Sequence, residues 1–165
     1  RITADALGPR TVQHILVTMG AGAAPPVRGL RPVAAVAPGV AAATGLSLQQ
    51  LAAALVGQLR PAAVVCVDSL CSAEGQRLGR TVQFSDSGLY PAADHTRHLT
   101  RDTVGVPVVA AGIPTLMQAQ EGADLVVTPR ALDSVIAHGA ALLACAVNRA
   151  LQPRLTVQQL CWLTG

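Results

Sequence analysis

Lysine is absent. All twelve basic residues of the 165-residue chain are Arg, set against nine Asp and Glu, for a formal charge of +3. Aromatics are nearly absent too, with one Trp, one Tyr and one Phe. Scattered Arg without aromatic platforms argues against a nucleic-acid groove, while the modest positive charge leaves room for acidic substrates. No CxxC pair links Cys66, Cys71, Cys145 and Cys161, which argues against a zinc site or a disulfide frame and leaves buried free thiols as the expectation. No uninterrupted apolar run reaches roughly 18 residues, and no signal peptide opens the chain, so a soluble intracellular protein is expected. HExxH, GxSxG and P-loop motifs are missing, which removes the commonest metalloprotease, serine-hydrolase and nucleotide-binding readings.

What is present is small and apolar. Hydrophobic residues make up 51% of the chain, dominated by Ala and Val, which suit close packing of helices on a sheet. A single domain over residues 1–165 is long enough to bury roughly 70% of the surface its unfolded chain exposes. The run Ala63, Val64, Val65, Cys66, Val67 ends on Asp68 and reads as a strand buried on both faces. An acid at the carboxyl end of such a strand stands where open α/β sheets place ligands and chemistry; capping of the next turn is the competing reading.

The rest of the chain alternates strand and helix. Thr3 or Asp5 is a candidate N-cap for a helix over 6–13, with Asp5 favoured by the helix dipole. Residues 14–18 read as a short strand, 20–32 as a Gly/Pro-rich loop, and 33–37 as extended. Ser47 caps a helix whose Leu48, Leu51, Leu55 and Leu59 repeat on one face, and Pro61 ends it. Strand, helix, strand in that order implies a right-handed parallel crossover. A short helix is expected over 72–78, a strand over 81–85, and a long polar loop over 86–105. Residues 106–114 form another buried strand stopped by Pro114; a short helix then starts at Leu116, and 124–128 is strand-like. Pro129 suits the first position of a long helix reaching Leu151, and 155–163 makes a last amphipathic helix whose Trp162 docks on the body. The fold class is α/β: about five strands alternating with helices in a three-layer sandwich, with a mostly parallel central sheet flanked by helices.

The chemistry-bearing residues are few. His95 and His98 lie in the polar loop, where a solvated surface competes with a metal site, and His138 reads as a packing or surface residue. Ser69 and Ser85 lack a recognisable base motif. Asp86 suits an Asx turn, and Asp133 the first turn of the long helix. Asp5 and Asp68 stand out, each at a helix start or strand end beside small residues. Two carboxylates brought close together share a proton, one ionised and one neutral, which suits acid–base work on a water.

The blocks TADALGPRTV (3–12), GLRPVAAVAPGVAAATG (29–45), VVCVDSL (64–70), RTVQFSDSGLYP (80–91), TVGVPVVAAGIPT (103–115) and LVVTPRALDSVI (125–136) resemble, in order, the spore germination endopeptidases, an atypical aspartic-type protease family. The resemblance implies a fold shared with hydrogenase-maturation endopeptidases and a catalytic pair carried by Asp5 and Asp68. Gly39 and Gly45 are then expected to line the substrate groove. It further implies small acid-soluble spore proteins as substrates, a zymogen, a homotetramer, and action in the cytoplasm of the spore core. No cofactor, metal, membrane or direct nucleic-acid partner is implied. The chain departs from the family pattern in lacking the strand before Asp5, in carrying PAADHTRH after the SDSG block, and in a short segment before GADLVVTP; it reads as a trimmed or divergent member. Two other readings use the same fold: a nickel-recognising maturation endopeptidase with His95 or His98 as its histidine, and an inactive binding or assembly protein.

Overall fold

Two strands of small apolar residues form the centre of the protein. The computed structural model describes residues 3–20, 27–39, 45–90, 98–118 and 126–165. β1 (Val64–Ser72) lies parallel to β3 (Val108–Gln118), with Asp68 opposite Gly112. β2 (Gln83–Ser85) pairs antiparallel with β3, placing Phe84 opposite Ala111, and β4 (Val126–Val127) pairs antiparallel with the end of β3. The fold is therefore α/β as expected, but the described sheet is mixed rather than mostly parallel. The link 119–125 is too short for a parallel crossover, so β4 runs back against β3, and β2 enters the sheet antiparallel to β3 on the side away from β1.

Alternate residues of the two central strands face opposite sides. Ala111 and Ile113 join Leu7, Ile136, Ala140 and Leu143 in one buried cluster, with Val67 and Val82 against it. Val108 and Ala110 join Leu89, Leu99 and Val104 in another, packed by Leu48, Ala52, Val56, Val64 and Cys66. The first cluster holds α1 (Leu7–Gln13) and the long helix α4 (Leu132–Leu151); the second holds α2 (Leu48–Leu59) and α3 (Arg101–Val104). α5 (Val157–Thr164) closes the described chain and packs on α4.

Local signals placed the helices well. Ser47 accepts from Gln50 N–H and Gln50 answers at the Ser47 backbone, a complete capping box at α2. The side of α2 in the core cluster is Leu48, Ala52 and Val56, however, and Leu59 at the leucine stripe's end is 39% exposed. α4 begins at Leu132 with Ala131 as N-cap, two residues beyond Pro129, which stands outside the helix. It is long and apolar enough by length and composition to cross a membrane, because His138, Asn148 and Arg149 are diluted by Ala and Leu. Its Ile136, Gly139, Ala140, Leu143 and Ala144 are buried, and the cluster with Leu7 and Ile113 shows a core helix at work.

Strand readings fared worse at 14–18, which forms no strand. Thr18 N and Met19 N both donate to Val33 O at 3.0 Å, and Thr18 Oγ1 accepts from Val33 N, so this segment and the extended 33–37 segment fasten each other without a ladder. The parallel pair is thus β1 with β3, and since neither 14–18 nor 33–37 is a strand, the expected crossover through α2 to β1 is not formed. The expected helix over 72–78 is a single 3₁₀ turn, Gly75–Arg77. Leu116 continues β3 instead of starting a helix.

Pro114 does not stop β3. The β1–β3 register slips at Leu70/Cys71, where Leu70 faces Pro114 and Cys71 faces Leu116, leaving Thr115 as the extra residue. Such a bulge accommodates a proline that cannot donate to the ladder. The Pro114 carbonyl meanwhile accepts from Gly79 N at 2.6 Å. Trp162 does not dock on the body; it is 84% exposed, and Leu160 is the buried residue of α5.

Candidate functional site: a turn pinned to the central strand

The bulge has a consequence at the amino-terminal turn. Residues 4–6 form a 3₁₀ turn leading directly into α1, with Thr3 extended at its N-cap and no side-chain cap. The Ala4 carbonyl accepts two hydroxyls: Ser69 Oγ at 2.6 Å and Thr115 Oγ1 at 3.1 Å. Ser69 follows Asp68, and Ala4 precedes Asp5. One carbonyl therefore joins the two aspartate-bearing segments, and Thr115 reaches it because the bulge displaces it from the regular ladder.

A close backbone approach completes the joint. A Cβ at Gly8 would stand 2.7 Å from Val67 O, so only glycine lets the first turn of α1 lie on β1. Asp5 is exposed in the turn. Asp68 is half-buried, and its Oδ1 accepts from Ser69 N at 2.9 Å, which orients the carboxylate. It does not end its strand, as the sequence pattern suggested; β1 continues four residues to Ser72 because β3 is long enough to keep pairing. Asp68 shares its face of β1 with Cys66, and Ser69 points to the other.

Cys66 reports that neighbourhood. Burial first, and the Asp68 carboxylate second, push its thiol from 9.0 up to about 11. Both effects oppose the thiolate. At pH 9, where an exposed thiol is about half ionised, Cys66 stays protonated. A thiol reagent at that pH is expected to label Cys71 and Cys161, which are exposed, well before Cys66. Mass mapping of the labelled peptides reads this directly, and fast labelling of Cys66 would contradict it. The sign for stability follows: the raised folded-state value contributes stability that is full below the unfolded thiol value and fades as pH climbs through about 11. The expectation of four buried thiols holds only in part, since Cys66 and Cys145 are half-buried and the other two exposed.

The remaining candidates fall elsewhere. Gly39 and Gly45 both adopt positive φ, 72° and 69°, in exposed turns. Among the described residues no hydrogen bond joins either to the aspartate segments. His95 lies outside the described residues, and His98 rests edge-on against the Tyr90 ring. The turn at 85–87 is closed by Ser85 Oγ, which accepts from Ser87 N, and not by the Asp86 side chain. Ser69, weighed as a nucleophile, donates its hydroxyl to Ala4 O and so positions backbone. Thr115 was missed altogether; the GIPT block that contains it was the only sign. A cleft of about 280 Å³ between residues 79–82 and α4 is lined by Ile113 and by His138, whose Nδ1 lies 3.1 Å from Ser134 Oγ.

With this geometry in place, comparison with known proteins decides the family. Residues 1–121 match the germination protease family model. The chain belongs to the germination protease family. The germination protease of Halalkalibacterium halodurans is 37% identical over 143 residues, covering 83% of this chain and 37% of that protein. That of Clostridium perfringens strain SM101 is 28% identical over 211 residues, covering 96% of this chain and 65% of that protein. That of Bacillus subtilis strain 168 is 37% identical over 124 residues, covering 72% and 34%. The chain spans between about a third and two thirds of the length of these curated germination proteases. The matched stretch contains Asp5, Ser69, Asp68 and Thr115, so the pinned turn lies within the family's region.

Proposed function

We propose that the chain is an endopeptidase that hydrolyses small acid-soluble spore proteins during germination, with a water held between Asp5 and Asp68. The observation that carries this is the Ala4 carbonyl, which ties the Asp5 turn to the residue after Asp68 within a germination protease chain. In this reading Asp68, whose charge bears on Cys66 and whose Oδ1 already accepts an N–H, acts as the base. It takes a proton from the water as the water's oxygen attacks the scissile carbonyl. Asp5, carrying the shared proton, donates it to the carbonyl oxygen. As the tetrahedral species collapses, Asp5 takes that proton back and Asp68 passes the one it took from the water to the leaving amine, so both carboxyls return to their starting states. Neither step needs a metal. The finer architecture proposed with it is a three-layer sandwich of the hydrogenase-maturation type, assembled as a homotetramer, made as a zymogen and working in the spore core.

The test is direct. The purified chain, incubated with a small acid-soluble spore protein, is expected to release discrete fragments seen by mass spectrometry. Asp5→Asn is expected to slow that release by about two orders of magnitude or more, the ordinary weight of a positioned acid. Full activity in the Asp5→Asn protein would end the two-aspartate assignment.

A further inference from the structure

The charges of this chain are unevenly placed along it. No Asp or Glu occurs between residues 6 and 67, and none follows Asp133. The fold brings these two carboxylate-free stretches together at the carboxyl end of α4. Two buried amide side chains do the joining. Asn148 Nδ2 donates to His14 O at 2.8 Å, and its Oδ1 accepts from Leu16 N at 2.9 Å. Gln152 Oε1 accepts from Arg31 N at 3.0 Å, and its Nε2 donates to Arg31 O at 2.8 Å. Both amides are only 2% exposed, so the 27–31 turn and the 152–154 turn are set against each other by fixed, fully engaged groups.

Between the turns lies a pocket of about 340 Å³, lined by Leu30, Arg31, Gln152, Pro153 and Arg154 among others. Arg31 and Arg154 line it, and Arg149 stands beside it through its bond to Pro153. Arg31 Nη1 reaches Ala150 O at 3.4 Å, and Arg149 Nη1 donates to Pro153 O at 2.9 Å. Those contacts satisfy carbonyls at the end of α4, where cations are welcome. Each uses one of the five donors a guanidinium carries. Among the described residues, none of the three Arg forms an ion pair; the salt bridge found there is Arg77 with Glu74. Like charges lining one pocket repel one another, and an anion between them relieves that repulsion.

We propose that this pocket is a docking site for acidic side chains of a peptide segment, separate from the Asp5–Asp68 joint. Arg forks match carboxylates in a bidentate manner. Leu30 and Pro153 offer apolar wall to the methylene stems of Glu. Among the described residues no aromatic ring lines the pocket, so it offers none of the stacking that holds single-stranded nucleic acid. Asn148, on α4 one turn before Gln152, holds His14 at the carboxyl end of α1, while Asp5 stands before that helix's amino end. Binding there is read without turnover, so it stands or falls apart from the peptidase reading.

The experiment is fluorescence anisotropy of a fluorescein-labelled, glutamate-rich peptide titrated with the full 165-residue chain. Saturable binding that weakens as salt rises is expected. The double variant Arg31→Gln/Arg154→Gln should bind about tenfold more weakly. Its fold is expected to persist, because Gln152 holds the Arg31 backbone rather than its guanidinium; circular dichroism checks this. The double variant Arg10→Gln/Arg101→Gln removes the same formal charge elsewhere and should bind as the parent does. Equal weakening by both double variants would reduce the effect to net charge and overturn the site. So would no binding by the parent, or tighter Arg31- and Arg154-dependent binding of a short DNA duplex than of the peptide.

Discussion

Asp68→Asn is expected to lower hydrolysis of a small acid-soluble spore protein by roughly three orders of magnitude while leaving the chain folded. The substitution keeps shape and keeps an Oδ1 that accepts from Ser69 N, so neither β1 nor the Ser69 tie to Ala4 should be disturbed. What it removes is the negative charge. A second readout follows that a merely structural role would not move: the Cys66 thiol, held at about 11 by burial and by Asp68, should titrate lower in the variant. It should remain above the ordinary thiol range because burial is the larger cause. Thiolate absorbance against pH measures this on the same sample used for cleavage. Undiminished cleavage would remove Asp68 from the mechanism, and an unmoved thiol would deny its charge at Cys66.

Gly112→Ala is expected to destabilise the chain strongly. Gly112 is buried in β3 opposite Asp68. A Cβ there would stand 2.5 Å from the Asp68 carbonyl oxygen and 2.7 Å from Leu70 Cγ. The oxygen belongs to backbone held in the parallel ladder, so the strands themselves must shift. Overpacking of this kind costs about 3 kcal/mol, which for a chain of this size lowers Tm by roughly 6–12 °C. Calorimetry of the variant beside the parent checks it, and a Tm within a degree of the parent would show that the ladder yields easily. Because the displaced carbonyl is that of Asp68, activity should fall even at temperatures where the variant remains folded.

How much of this was legible in the residues depends on the range of the forces involved. The capping boxes at Ser47 and Thr156, the arrest of α2 before Pro61 and the apolar run of β1 are local events, decided within a few residues. They could be read from order alone. The segment 14–18 has strand composition, yet its backbone is satisfied by Val33 and Asn148 instead of a ladder. Nothing in its own residues announces that. Trp162 misled for the same reason: an amphipathic pattern indicates that some face is buried, and the partner decides which one. In α5 the buried residue is Leu160.

For the site, the ordered blocks picked out Asp5 and Asp68, and the family match stands behind the region that holds them. Composition and periodicity by themselves showed an apolar strand bearing an acid and no more; its expected burial on both faces does not hold, since β1 is mostly half-buried and Val65 is exposed. The sequence determined the α/β class, the capped helices α2 and α5, the central apolar strands and, through its motifs, the family; α3, capped at Thr100, falls where a long polar loop is expected. The tertiary structure alone decided three things. It made the sheet mixed, with β2 and β4 both antiparallel to β3, the short link 119–125 leaving β4 no length for a parallel return. It set Thr115 free at a bulge around Pro114, and with Ser69 turned that hydroxyl on the Ala4 carbonyl, joining residues far apart in the chain. It also brought Arg31 and Arg154, from two stretches without a carboxylate, to one pocket. These are long-range pairings, whose partners are fixed by packing and by hydrogen-bond satisfaction across the whole fold and not by any neighbouring residue.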